Sequence, residues 1–572
     1  MSTQAAQDHS PTGFDGKPSG LQTPATEVTD PTLRGDQSSL PEEVSPSTSI
    51  PTPGRLQFWL IFIALMVASF LSALDLTSVS TALPTIVEDL EGTDFAWVGS
   101  AFALGSTAIL PLVGGLAQIF GRRPIVIGSI LFFALGSGLC GGANNMTMLI
   151  AGRTIQGIGG GGILATSEIV VADMVPLRQR GAYMGIFGAV WAVACAIGPP
   201  IGGAFSQSSW RWLFYMNLPI AAVALVLVWF FLRLKVPQDD LRSKIHRMDW
   251  IGNFFVIAGT TLSVIALTWA GTRHPWSSYQ VLLPLVLGLV LIAGFFVYEA
   301  KVAVEPVVPW ELVNNRTSFL GYATTFVHGI VSTCIIFYLP VYFQATMMQG
   351  PVKSGVSVLA SALTITPGAI ACGATVAIFN IYRPQNLAGW VITTAALGLF
   401  TLLKVSTPKA QWVGFQIIEG IGLGILNAAP TFPVLAPLPI SENAHALAFF
   451  TFVRSYSQTW GVTIGATILQ NQLKIKLPQP FLDMFPSEGV EIAYAAIPQI
   501  PGLPEPMRTE VREAFVSSLR VIWLAMIGIC AVGLLSVLGM KELKMHEVTD
   551  EDWGMEERKK IEIDAGRTET EP

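Results

Sequence analysis

Four charged residues lie within long apolar stretches of the chain and are the first candidates for chemistry: Asp75, Arg153, Glu419 and Arg454. A charge inside a membrane-spanning helix is costly, so such a residue is by default functional and has a partner. Asp75 and Arg153 are about five and six residues from the outer ends of their stretches, which at roughly 1.5 Å per residue is nearly the same depth. We therefore predict that they face each other or share a water-filled cavity.

These residue types are suited to moving protons. A carboxylate beside an arginine releases or takes up a proton when a conformational change moves the cation. The alternative for Asp75 and Arg153 is a permanently paired structural bridge. Glu419 is a second candidate for binding a proton or recognising a cation, and its alternative is an acid hydrogen-bonded at a contact between helices.

Three further side chains are candidates for contact with a substrate or a neighbouring helix: Trp191, His328 and Arg454. Aromatic residues of membrane helices more often face lipid or the interface. A lone histidine on an apolar helix is more often part of a packed core, and an arginine near a helix end can bind the last carbonyls of a neighbouring helix. The alternatives stay open for all three.

The composition places these residues in a membrane. Of 572 residues, 51% are apolar and only 13% are charged, whereas about a quarter are charged in soluble domains. A net charge of -6 with dispersed basic residues excludes a nucleic-acid-binding stripe. The cysteines and histidines are isolated, which excludes clustered metal sites, and the ATP-binding sequence GxxxxGK[ST] does not occur. We expect the lipid bilayer as a partner and no organic or metal cofactor.

Apolar runs near the length of about 20 residues that spans a bilayer recur along the chain. In lipid every backbone group must be bonded internally, and runs without strand-like alternation achieve this as helices. The predicted class is therefore an all-α membrane protein. Fourteen spans are predicted, at residues 56–80, 97–119, 124–142, 147–171, 183–204, 217–234, 250–270, 280–298, 318–343, 355–379, 387–403, 411–433, 446–469 and 515–539.

Loop charges predict the orientation. The first three loops on one side hold nine Lys or Arg residues, and the first three on the other side hold only Arg211. By the positive-inside rule the basic side is cytoplasmic, and an even number of spans places both termini there. Residues 1–55 are expected to be a disordered cytoplasmic tail and residues 541–572 a charged one. Segment 470–514 is then an extracytoplasmic loop with a short helix before the last span.

An internal repeat predicts two related halves. The fourth span reads RTIQGIGGGGI from Arg153, and the twelfth reads QIIEGIGLGI from Gln416, so Gln156 corresponds to Glu419. This pattern indicates six-helix bundles at 56–234 and 317–540, with an extra helix pair and linkers at 235–316. Secondary transporters use such repeats, with the substrate between the halves. The GxGxxG sequence from Gly157 matches a dinucleotide fingerprint, but its position inside an apolar helix favours close helix packing.

Five motifs occur in this framework: LDLTSVSTALP from Leu74, GGLAQIFGRRP from Gly114, RTIQGIGGGG from Arg153, GPPIGG from Gly198 and WRWLFYMNLP from Trp210. Together they resemble the motifs of the 14-helix drug:proton antiporters of the major facilitator superfamily, especially the fungal multidrug and toxin efflux members. The resemblance covers about residues 56–540. It implies a major facilitator fold of two six-helix bundles plus two extra helices, and transport driven by the proton gradient.

The loop motif between the second and third spans is expected to act as a cytoplasmic gate. Gly114 permits close packing, Gly121 makes a tight turn, and Arg122 and Arg123 anchor the cytoplasmic face or serve only as topogenic signals. The family has an acid where this chain has Gln118. The gate is therefore either weaker here or held by hydrogen bonds.

The fourth and fifth spans carry the remaining motif residues. Glu168 and Asp173 are candidate partners of the two arginines, or they extend to water. In the fifth span a proline removes a helical hydrogen bond and bends the helix. The resemblance associates this kinked wall with exchange rather than symport, and the alternative is a packing helix without directional meaning. The gating and motif residues of these two spans are Gln156, Gly157, Gly198, Pro199, Gly202 and Gly203.

The resemblance and the deep charges together predict the function. We expect a proton-coupled secondary transporter, and not an enzyme, that exports a small apolar or amphipathic drug, toxin or secondary metabolite by alternating access. The alternative is a proton-coupled importer or vacuolar carrier of siderophores or basic amino acids, and a remote one is a membrane sensor without transport. We expect a monomer in the plasma membrane, with the vacuolar membrane as the alternative.

Overall fold

The structure is built from long helices. The computed structural model describes residues 55–90, 96–232, 242, 246–271, 274–484 and 496–545. Within these residues a long helix lies at each predicted span, and the predicted all-α class is confirmed. The helices are α1 (Arg55–Asp89), α2 (Ala96–Phe120), α3 (Arg122–Gly141), α4 (Met146–Met174), α5 (Leu177–Ser208), α6 (Asn217–Phe231), α7 (Trp250–Trp269), α8 (Tyr279–Lys301), α9 (Arg316–Val341), α10 (Leu359–Phe379), α11 (Arg383–Phe400), α12 (Lys409–Ala428), α13 (Asn443–Lys476) and α14 (Met507–Gly539).

Not every one of these helices is apolar enough to be recognised as a span by itself. Among the described residues, 11 helices are long and apolar enough to cross a membrane, and α5, α11 and α13 are not among them. Helix α13 carries the polar run RSYSQT from Arg454. It packs against α2, α4, α7, α9 and α14, so other helices can cover its polar side chains. The count of fourteen spans stays a prediction.

Local sequence signals set several helix ends. Asn145 precedes α4, and its side chain accepts a hydrogen bond from the Met148 backbone nitrogen at 2.8 Å. Asn315 caps α9 in the same way, through the Thr317 nitrogen at 2.9 Å. Such side chains satisfy donors that the helix leaves free. Gly121, with φ of 91°, joins α2 to α3 in a conformation that favours glycine.

The glycine-rich helices α4 and α12 occupy equivalent places. Helix α4 packs between α2 and α3, and α12 packs between α10 and α11. A side chain at Gly159 would collide with the Phe133 backbone, and one at Gly424 would collide with the Ile365 carbonyl. The glycines therefore permit backbones to approach closely in both places, as small residues do in membrane helices. The fingerprint-like sequence from Gly157 lies inside this packed helix.

The long helices other than α7 and α8 form two sets with the same packing pattern. In the first helix set (α1–α6), α1 packs on α5 and α6, and in the second helix set (α9–α14), α9 packs on α13 and α14. The sets meet where α2 packs on α13 and α5 on α10. There the backbone of Gly181 contacts Gly373, and Gly114 contacts Ala448. These four residues lie near the helix ends predicted to be cytoplasmic, so the two sets are closed against each other at that end.

The extra helices α7 and α8 pack on each other, and α7 also contacts α2 and α13. The bundle boundaries proposed at 234 and 316 stay predictions, and residues 233–241 and 243–245 of the linker lie outside the described residues. The tails 1–54 and 546–572 lie outside them as well. Helices α13 and α14 extend into segment 470–514, where a short helix, Gln479–Leu482, lies between them.

Candidate functional site

Asp75 and Arg153 lie together inside the first helix set. Asp75 is 0% exposed and Arg153 is 1% exposed. Arg153 Nη1 donates to Asp75 Oδ2 at 2.5 Å, and Arg153 Nε donates to the Val98 carbonyl at 2.9 Å. The guanidinium also lies over the Phe102 ring, 4.7 Å from its centroid. A carboxylate, a carbonyl and an aromatic face therefore hold the cation.

Two amides complete the ligation of Asp75. Gln156 Nε2 donates to Asp75 Oδ1 at 2.8 Å, and Asn217 Nδ2 donates to the same oxygen at 2.8 Å. Gln156 also accepts from Arg153 Nη1 at 2.7 Å and donates to Ser137 Oγ at 2.8 Å. Arg153, Gln156 and Asn217 each donate to Asp75, and an ionised carboxylate has acceptor capacity for all three hydrogen bonds. The site therefore fits an unprotonated Asp75 while Arg153 is in place.

Sequence reasoning missed Asn217 and Ser137 as members of this site. Asn217 begins α6 and is fully buried, and its Oδ1 has no hydrogen-bond partner among the described residues. The signal was present, because Asn217 belongs to the motif WRWLFYMNLP and is a polar residue at the start of an apolar span. Ser137 gave no comparable signal, since serine is common in membrane helices.

In the second helix set, Glu419 occupies the place that corresponds to Gln156, and its surroundings differ from those of Asp75. It is 0% exposed, and its Oε2 accepts a hydrogen bond from Ser361 Oγ at 2.5 Å. Within the described residues, Glu419 Oε1 has no partner. The position equivalent to Arg153 is Gln416, whose Nε2 donates to the Trp412 carbonyl at 3.4 Å. A buried acid with a hydroxyl donor and no adjacent cation is best accommodated as the neutral form.

The loop motif forms an interaction network at the end predicted to be cytoplasmic. Arg122 Nε donates to Asp173 Oδ2 at 2.8 Å, with both side chains about 2% exposed. Arg122 Nη2 reaches Gln118 Oε1 at 3.4 Å, and Gln118 Nε2 donates to the Ser441 carbonyl ahead of α13 at 3.3 Å. Gln118 thus links the two helix sets by neutral hydrogen bonds. Arg123 donates instead to the Trp229 carbonyl at 2.6 Å.

Glu168, the other candidate partner of the arginines, contacts the second helix set. Its Oε2 accepts from Thr451 Oγ1 at 2.8 Å, and its Oε1 lies 3.5 Å from Arg454 Nη1. Arg454 also donates to the Asn427 carbonyl at 3.2 Å. The ion pair between Glu168 and Arg454 therefore joins α4 to α13, and Arg454 is also bound to α12. This ion pair must break if the two helix sets separate.

Comparisons with known proteins decide the family. A protein-family model described as Major Facilitator Superfamily matches residues 65–462. The chain belongs to the Major Facilitator Superfamily. It is 40% identical to "Efflux pump FUS6" of Gibberella fujikuroi, over 92% of this chain and 96% of that protein. It is 38% identical to "MFS-type efflux pump LUC4" of a Fusarium species, over 92% of this chain and 95% of that protein. It is therefore a membrane transporter, and the predicted resemblance to fungal efflux members is confirmed.

Two further similarities concern a biosynthetic gene cluster and the fold. The chain is 38% identical to the acurin A biosynthesis cluster MFS-type transporter of Aspergillus aculeatus, over 88% of this chain and 93% of that protein. The crystal structure of the human organic anion transporter MFSD10 matches with a TM-score of 0.51 and 13% identity, covering 82% of this chain and 99% of that chain. At this identity the likeness shows the major facilitator fold alone.

The glycine positions of this major facilitator transporter are packing positions. A side chain at Gly157 would collide with the Phe102 carbonyl, and one at Gly198 would collide with Thr77. Gly202 is buried, whereas a side chain at Gly203 would meet open space. The side chain of Pro199 lies outside the described residues. Gly157 and Gly198 thus hold α4 against α2 and α5 against α1.

The two remaining candidates, Trp191 and His328, are not among the side chains that bind Asp75 in the described part of the chain. Trp191 is half-buried and packs against the small cluster formed by Ala73, Leu74 and Ala194. His328 lies on α9 and is buried, and its Nε2 has no hydrogen-bond partner among the described residues. No group of three His, Cys, Asp or Glu side chains in the described part of the chain is arranged to hold a metal ion.

Proposed function

We propose that this transporter exports a small apolar or amphipathic molecule in exchange for protons. The observation that carries the proposal is the Asp75 carboxylate, fully buried and bound by Arg153 inside the first helix set. Intramembrane ionisable pairs of this kind mark ion and proton pathways. The names of the curated relatives, which are efflux pumps, support the outward direction.

The proposed cycle uses Asp75 as the proton carrier. With Arg153 bound, Asp75 is ionised and accepts from all its donors. A substrate that binds more tightly when Arg153 and the amides hold Asp75 favours the ionised form over the protonated one, which couples substrate binding to proton release. Protonation from the outside then favours the return step. Glu419, which has no adjacent cation, is a second proton carrier in this scheme.

Alternating access requires the two helix sets to separate at the cytoplasmic end. The links to be broken include the Gln118 hydrogen bond to Ser441, the Glu168 contacts with Thr451 and Arg454, and the Arg178 hydrogen bond to the Ala377 carbonyl. An exposed neutral hydrogen bond contributes only about 0.5–1.5 kcal/mol. A gate based on Gln118 therefore opens more readily than one based on a buried ion pair would.

The remaining features of the proposal follow the topology. Both termini are cytoplasmic, the protein acts as a monomer in the plasma membrane, and the proton gradient is the energy source without another cofactor. The substrate class is a drug, toxin or secondary metabolite, in line with the cluster-encoded transporter of Aspergillus aculeatus among the relatives.

Transport in oriented vesicles tests the proposal. Inside-out vesicles from a host lacking its own efflux pumps are loaded with an acidic interior and offered a panel of toxins, siderophores and basic amino acids. We expect uptake of an apolar toxin that stops when the gradient is dissipated. Uptake of a siderophore or basic amino acid only under the reversed gradient would contradict export and favour the importer.

A matched pair of variants tests the role of Asp75 in the same vesicles. Asp75→Asn should abolish gradient-driven uptake at normal protein level. The control is Asp89→Asn on the same helix, where the side chain is about half exposed and contacts Arg211, and it should transport normally. Full gradient-dependent transport by Asp75→Asn would remove Asp75 from the coupling mechanism.

A further inference from the structure

Two acids meet at the predicted cytoplasmic end of the extra helices. Asp249 precedes α7, and its Oδ1 accepts from the Gly252 nitrogen at 2.9 Å and from the Tyr298 hydroxyl at 3.2 Å. Glu299 lies near the end of α8 and is 4% exposed. Its Oε2 accepts from the Val308 nitrogen at 3.3 Å. One oxygen of each acid therefore has a donor.

The other two oxygens face the same point and have no donor. Asp249 Oδ2 and Glu299 Oε1 are both buried without a hydrogen-bond partner among the described residues. Both lie directly against Gly252, where an added side chain would collide with each of them, and the two carboxyl groups are within hydrogen-bonding range of each other. Ionised carboxylates only accept hydrogen bonds, so the donor missing from this contact is a proton.

The neighbouring charged groups are engaged elsewhere. On the α7 side, Arg247 binds Glu305 at 2.8 Å. On the α13 side, His445 Nδ1 contacts the Val307 carbonyl at 3.0 Å. Lys301 follows Glu299 at the exposed end of α8. None of these cations donates a hydrogen bond to either of the two free oxygens in the described part of the chain. Two carboxylates whose buried oxygens are adjacent cannot both stay ionised without compensation.

We propose that Asp249 and Glu299 bind one proton between Oδ2 and Oε1. The shared proton joins the start of α7 to the end of α8, and through Val308 it also fixes the segment that leads to α9. Because α7 packs on α2 and α13, this site lies beside the helices that close the cytoplasmic end. It is separate from Asp75 and Glu419 and responds to cytoplasmic pH.

The test compares how stability depends on pH in three proteins. Glu299→Gln places an amide donor against Asp249 and needs no proton. The control, Glu305→Gln, makes the same chemical change at an exposed acid on the adjacent linker. Each full-length protein is purified in detergent, and its thermal unfolding midpoint is measured from mildly acidic to mildly alkaline pH.

The expected result follows from linkage. A proton held more tightly by the folded state stabilises it at low pH, and this stability is lost as pH rises. Relative to Glu299→Gln, the folded-to-unfolded ratio of the wild type and of Glu305→Gln should fall by about tenfold per pH unit, the slope for one proton. The fall begins above the pH at which the unfolded chain loses this proton and ends at the pH at which the folded protein loses it, and the profile is level beyond that pH. A Glu299→Gln profile that falls as steeply as the wild-type profile would overturn the proposal.

A second variant covers the case in which Glu299→Gln does not fold, and a series of cations distinguishes a proton from a metal ion. If Glu299→Gln does not fold, Asp249→Asn supplies the donor from the other side and should also flatten the profile. Each protein is also measured with chelator and with added Na⁺, K⁺, Mg²⁺ or Ca²⁺. Stabilisation of the wild type by one of these ions, absent in Asp249→Asn, would show a metal-cation site and overturn the shared proton. No effect of any ion supports the shared proton.

Discussion

The two helix sets hold their buried acids in very different surroundings. In the first helix set Asp75 is bound by an arginine and two amides. In the second, Glu419 has a single serine donor, and a glutamine stands where the arginine would be. The same scaffold therefore holds one acid that suits the ionised state and one that suits the neutral state. The two halves of a repeat need not do equivalent chemistry.

The largest expected effect comes from removing the cation of the first site. Arg153→Ala leaves Asp75 buried without its partner, which should cost about 3–5 kcal/mol of unfolding free energy. Asp75→Asn combined with Arg153→Gln should recover much of this loss but not transport. The control is Arg508→Ala, which breaks an exposed pair with Glu505 and should change stability little. If Arg153→Ala costs no more than the control, the two acids do not differ as described.

Asn217→Ala tests the amide that sequence reasoning missed. The loss of a hydrogen bond to a charged acceptor should cost about 1.5–3 kcal/mol. It should also change the pH profile of export, because Asn217 binds the carboxyl group of Asp75 directly. Asn386→Ala is the control, since among the described residues that buried amide donates to the Tyr382 and Ala429 carbonyls and not to an acid. It should cost stability and leave the profile in place; an equal shift in both variants would mean that Asn217 is only structural.

Gln118→Ala tests the neutral link between the helix sets. The loss of one exposed hydrogen bond should lower the stability of the closed cytoplasmic end by about 0.5–1.5 kcal/mol, which is about a two- to tenfold shift in population. Spin-label distances across that end measure the shift. Gln118→Glu keeps an acceptor for Arg122 but cannot donate to the Ser441 carbonyl, so it should shift the population in the same direction. No shift in either variant would exclude a latch at this position.

Glu419→Gln should have the smallest effect on stability, below about 1 kcal/mol. The neutral amide replaces a neutral acid, and its oxygen can still accept the hydrogen bond from Ser361. Transport should continue with one proton fewer per cycle. The ratio of protons to substrate, obtained from the pH gradient that just balances a substrate gradient, checks this. A loss of more than about 3 kcal/mol, as for an ion pair, would mean that Glu419 is ionised and paired.

The sequence predicted the helix positions and the common depth of Asp75 and Arg153, because runs of apolar residues and helix rise determine both. It did not predict that Arg122 binds Asp173 while Glu168 contacts Thr451 and Arg454. A helix that is apolar on all sides carries no periodic signal for its rotation. Which polar side chain meets which neighbour is then set by the packing of several helices at once, as for Asn217 at the start of α6.

The most direct measurement of the central claim is proton release on substrate binding. Purified wild-type protein in weakly buffered detergent solution should release protons when a transported compound is added, as should Asp89→Asn. Asp75→Asn should still bind the compound but should release fewer protons than the wild type, because the proton from Asp75 is missing. Equal release by Asp75→Asn and the wild type would contradict the assignment of Asp75 as the residue that couples export to protons.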